Sequence, residues 1–133
     1  MRMLTMAAVM TVLLGAAAFA KPALRDVPEI DNGLLYIALA DEIRKNCPSI
    51  SARLLKAFVA MQALEGRAKD MGYSAEEIRA YTGSEEEKAR MRARGAAYLR
   101  AHGVTGDDPQ SYCTLGRAEI EKSSQIGTLL KAK

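Results

Sequence analysis

Apolar side chains in this chain return every three or four positions, the spacing that lines one face of a helix, and no stretch holds a sustained two-residue alternation. That regularity turns the reading away from sheet-based folds and toward an all-α architecture. From Asn32 onward Leu35, Tyr36, Leu39, Ala40, Ile43 and Cys47 make one stripe, with Asp41, Glu42, Arg44, Lys45 and Asn46 on the other side. Pro48 stops this helix at Asn46 or Cys47, because the residue before a proline is pushed out of the helical region. Residues 21–31 hold Pro22 and Pro28 among mixed charges and read as an extended leader.

A second helix, capped by Ser49 or Ser51, carries Leu54, Ala57, Phe58, Met61, Leu64, Ala68 and Met71 and ends at Gly72. Ser74-Ala75-Glu76-Glu77 is a capping box opening a short helix through Ile78 and Tyr81. Ser84-Glu85-Glu86-Glu87 is a second such box, its carboxylates at the positive end of a helix that uses Met91, Ala96, Tyr98 and Leu99 and closes at Gly103. Asp108-Pro109 places an N-cap before a proline at the first helical position. The last helix then carries Tyr112, Cys113, Gly116, Ile120, Ile126, Gly127 and Leu130. The expected fold is a small antiparallel bundle of four main helices plus one short one, a single domain over residues 32–133.

The N-terminus is a separate matter. Met1-Arg2-Met3 precedes an uncharged apolar run from Leu4 to Ala20, and Ala18 and Ala20 supply the A-x-A pattern of a cleavable signal peptide over residues 1–20. The run is short for a membrane span and lacks a basic stop-transfer cluster, so no transmembrane segment is expected after cleavage. The expected location is periplasmic. Four of the seven methionines leave with the signal, which weakens any methionine-based copper site.

Export makes the two cysteines, Cys47 and Cys113, informative. They allow one connectivity, and in an oxidising compartment a structural disulfide closing 66 residues is the expected outcome. The alternative is a redox-active pair or a Cys113 thiolate at a helix N-terminus, with neither a C-x-x-C nor a thioredoxin-like sheet to support it. No free thiol is expected in the native protein.

Catalytic constellations are missing from the sequence. The one histidine, His102, stands just before Gly103 and suits a helix C-terminal cap. Asp107 and Asp108 are explained by capping, and neighbouring Glu85, Glu86 and Glu87 point in different directions, with Glu86 expected to reach Arg90. There is no phosphate loop, nucleophile elbow or metal-ligand spacing, so no cofactor, metal or enzymatic activity is expected. A net charge of +3 is too weak for a nucleic-acid partner, and Arg90, Arg92, Arg94 and Arg100 read as a solvated, salt-bridged face. Tyr36, Phe58, Met61 and Tyr98 are candidate lining for an apolar interhelical pocket.

Asp31-Asn32-Gly33-Leu34-Leu35-Tyr36 and Tyr112-Cys113-Thr114-Leu115-Gly116-Arg117-Ala118-Glu119-Ile120 resemble a family of small exported bacterial proteins of unknown function, a likeness that runs through the mature chain. Some members of that family lie near genes for a respiratory NADH:quinone oxidoreductase. That neighbourhood implies no chemistry, and the resemblance transfers no catalytic residue; an accessory place at a membrane or respiratory complex is the expectation. The expected function is a non-enzymatic exported helical protein acting through protein–protein interaction, with a small-molecule carrier as the alternative.

Overall fold

The computed structural model describes residues 20–133, and the expected signal peptide falls outside the described residues but for Ala20. After a single 3-10 turn at Leu24–Asp26 come α1 (Pro28–Asn46), β1 (Ile50–Ala52), α2 (Leu54–Asp70), α3 (Ala75–Gly83), α4 (Glu85–Ala101) and α5 (Pro109–Lys122). A second 3-10 turn, Gly127–Leu129, leads into β2 (Leu130–Ala132). The described chain is mostly helical.

Local chemistry accounts for most boundaries. α1 ends before Pro48, as expected. Ser74 accepts the Glu77 amide while Glu77 reaches back to the Ser74 amide, a complete capping box. Asp108 accepts from the Gln110 amide with Pro109 at the first helical position. Gly72 and Gly103, at φ 95° and 81°, carry the left-handed turns after α2 and α4.

Four expectations are corrected. α1 starts at Pro28, not Asn32: the proline needs no helical partner for a missing N–H, and Glu29 and Asp31 favour the first turn. Residues 21–31 are thus no extended leader, since Leu24 and Ile30 are buried against Ala68 and Tyr73. The second correction is a two-stranded antiparallel sheet pairing Ile50 with Ala132, Ser51 with Lys131 and Ala52 with Leu130. Strands of three residues are too short to display an alternation; of the two serines expected to cap α2, β1 takes Ser51 and the turn before it holds Ser49, so α2 begins after Arg53 with no side-chain cap. Third, α5 stops at Lys122 because Ser123 turns left-handed at φ 52°. The returning chain then presses Gly127 onto the end of α5, where a Cβ would lie 1.9 Å from the Glu119 carbonyl oxygen, so only glycine fits. Fourth, the Glu85–Glu87 cluster pairs differently: Glu87 reaches Arg90 at 2.8 Å, and Glu86 reaches Arg25 at 3.5 Å. Residues 86 and 87 both lie about one turn before residue 90, and Glu87 takes it while Arg25, brought up by the N-terminal segment, engages both glutamates.

The main core gathers Leu35, Leu39, Ile43, Ile50, Leu99, Leu115, Ile126 and Leu130 from α1, α4, α5, the sheet and the turn that leads from α5 to β2. At its centre Cys47 and Cys113 form a disulfide, with Cα atoms 5.1 Å apart and both residues buried. A smaller cluster of Leu24, Ile30, Ala68 and Tyr73 joins the N-terminal turn to α1 and α2, with Ile78 and Tyr81 of α3 packed against it.

Candidate interaction surface

α2 is apolar on more faces than its neighbours can cover. Ala57, Ala60, Leu64 and Ala68, spaced at three and four, face inward: the first two pack on the main core, the others in the smaller cluster. Leu64 crosses α1 at Gly33, where a Cβ would lie 2.6 Å from its Cδ2. This contact fixes the rotation of the helix. Leu54, Leu55, Phe58 and Val59 are therefore turned outward, 74%, 77%, 61% and 57% exposed, with Met61 beside them at 41%. A helix segment apolar all round is ordinarily a buried one. Here one side is bare, and scattered single apolar residues do not account for five adjoining large ones.

The ground around this patch is basic. Arg53 and Lys56 are exposed at its start, Lys131 and Lys133 are exposed on and just beyond β2, and the Arg53 guanidinium donates to the Leu130 carbonyl at 3.0 Å. Arg44, Ile50, Leu54 and Lys133 line one shallow hollow, which puts the first patch residue beside Lys133 and beside Arg44, itself paired with Asp41 at 2.6 Å. No carboxylate side chain occurs in residues 48–64 or 123–133.

Of the four candidate lining residues, Tyr36 and Tyr98 pack against the main core, Phe58 stands on the bare face, and Met61 borders a separate hollow with Leu24, Ile30 and Leu64. The structure does not gather them round one pocket. The correction has a geometric cause: Phe58 and Ala57 are 100° apart on α2, and the crossing at Gly33 selects the alanine side. Leu55 and Val59 escaped the sequence reading altogether. The doublets Leu54-Leu55 and Phe58-Val59 were the available signal, because two adjacent apolar residues per turn cannot share one buried stripe.

Two buried carboxylates were also missed. Asp31, 4% exposed, accepts from Arg90 at 3.1 Å and from Arg94 and Tyr81, while Arg94 reaches Asn32 Oδ1 at 2.7 Å. Burial alone would raise the Asp31 carboxyl, but hydrogen bonds from Arg90 and Tyr81 and the charges of Arg90 and Arg94 outweigh it and hold it below the ordinary range. Burial and the same carboxylate push the Tyr81 hydroxyl far up. So Arg90 and Arg94, expected on a solvated face, turn inward and tie α4 to α1. Glu119, 1% exposed, accepts from Tyr98 at 3.1 Å, Lys122 at 3.2 Å and Ser124. Burial and that carboxylate raise the Tyr98 hydroxyl to about 12. The Tyr98 ring stacks on His102 at 3.9 Å, and His102 Nδ1 lies 2.7 Å from the Tyr98 carbonyl, the capping position expected of it. In both networks the carboxylates are partnered on every side by cations and hydroxyls.

A groove of about 480 Å3 runs between α1 and α4, lined by Leu39, Met91, Gly95, Leu99 and Tyr112 with Lys88 and Arg92 at its rim. Among the described residues, no cluster of three or more His, Cys, Asp or Glu could hold a metal ion, and no helix is long and apolar enough to cross a membrane. The chain belongs to a family of unknown function (DUF5333), whose pattern matches residues 22–131. No curated protein and no solved structure matches it.

Proposed function

Taking membership of that family as the premise, we propose that the protein is a non-catalytic accessory domain, exported by its N-terminal signal to the periplasm, which works by protein–protein interaction at a membrane complex. The outward face of α2 brings it there. The observation that carries this proposal is the bare apolar patch of Leu54, Leu55, Phe58, Val59 and Met61 on a helix whose opposite face is already buried. Five exposed large side chains present on the order of 600 Å2 of apolar surface, the upper end of what a lone domain leaves bare. The disulfide and the helical domain, packed as a small bundle, suit a compartment that oxidises thiols.

Cell fractionation tests the proposal. The tagged protein is expected to sediment with membranes and to lose its signal, whereas L55D/F58D should remain in the periplasmic extract with its fold intact by circular dichroism. Sedimentation of the double variant with membranes, or wild-type protein found wholly in the extract, would contradict it.

The carrier alternative has one observation behind it, the apolar groove between α1 and α4. Native mass spectrometry separates the two, because a carrier retains the mass of its cargo.

A further inference from the structure

We infer that the outward face of α2 and its basic collar seat the protein on an anionic phospholipid surface, so that lipid, and not protein, covers the apolar patch. This rests on the reading of that face as the membrane contact and names what it meets there. The patch is convex. Leu54, Leu55, Phe58 and Val59 protrude, each more than half exposed, and a Cβ at Gly66, about two turns beyond Val59, would meet nothing. A protein partner needs a groove shaped to such a ridge. A bilayer needs none, since headgroups part around inserted side chains.

The charge pattern favours the same occupant. Arg53 and Lys56 are exposed in the same stretch as the insertion residues, Lys133 shares a hollow with Leu54, Lys131 is exposed on the adjoining β2, and residues 48–64 contain no acidic side chain. Apolar side chains that enter the acyl boundary, ringed by lysine and arginine at headgroup level, are how a protein lies on an anionic membrane without crossing it. The remaining polar face of a free amphipathic helix is here replaced by the protein itself, packed against Ala57, Ala60 and Leu64.

Vesicle sedimentation of the purified protein decides the matter. Phosphatidylcholine vesicles containing about 30 mol % phosphatidylglycerol should bind it at least about tenfold more tightly than pure phosphatidylcholine, with binding falling as salt is raised. L55D/F58D should lose at least about tenfold of the binding, and K56E/K131E should lose the preference for phosphatidylglycerol. Equal binding by L55D/F58D would overturn the inference. So would no binding to anionic vesicles at low salt by protein that still sediments with cell membranes, an outcome that leaves the accessory role standing and gives the patch to a protein. A dimer in solution that L55D/F58D dissolves would overturn it as well and give the patch to a second copy.

Discussion

Asp31 shows how one side chain can set the stability of the whole N-terminal half. Its carboxylate sits in the first turn of α1 and is the common acceptor for Arg90 and Arg94 of α4 and Tyr81 of α3. Replacing it with asparagine keeps the shape, leaves Arg94 without a carboxylate partner and leaves Arg90 with Glu87 alone. We expect D31N to lose about 3 kcal/mol of unfolding free energy by denaturant titration, the low end for a broken buried pair because both arginines keep some contact with water. The pH dependence has a definite sign. A carboxyl held below its ordinary value of 3.8 binds fewer protons folded than unfolded. Its contribution is therefore complete above that value and is lost as pH falls through the folded one. D31N should flatten part of the acid unfolding profile; Glu119, lowered by Ser124, Lys122 and Tyr98 against the effect of burial, supplies another part. Wild-type stability and an unchanged acid profile in D31N would contradict this assignment.

Among the elements, α2 is where the physical account is most exposed to test. If Gly33 and Leu64 fix its rotation as described, L55D/F58D should change stability by no more than about 0.5 kcal/mol, as substitutions at open surface positions do. Ala68→Asp, on the buried stripe, should cost more than about 2 kcal/mol because it takes an unpaired carboxylate out of water. Thermal and denaturant unfolding of the two variants would show the reverse order if the rotation were wrong. Element boundaries were legible wherever the signal acts within one turn: Pro48 after α1, Ser74 and Glu77 around α3, Asp108-Pro109 before α5. They were illegible where a distant contact decides. Nothing local distinguishes Phe58 from Ala57 as the inward residue, and Ser123 ends α5 in a conformation more usual for glycine, held there as Ser124 and Gly127 fold back on Glu119.

On the scale of the whole molecule, the disulfide joins the end of α1 to the start of α5 and encloses α2, α3 and α4 in its loop. Closing 66 residues removes unfolded-state entropy worth about 4 kcal/mol in the chain-entropy picture, a large share of the stability of a domain this size. That link could be read from two cysteines and the expectation of export. The candidate surface could not, because it is defined by what the rest of the protein leaves uncovered, and the polar networks of Asp31 and Glu119 join residues far apart in sequence. The central claim is that α2 touches the membrane with its outer face. A photo-crosslinking residue placed at Val59, with Ala93 on the exposed side of α4 as control, tests it in intact cells. Crosslinks to membrane components from position 59 and none from position 93 are the expected result; crosslinks from 93 alone, or from neither, would contradict it.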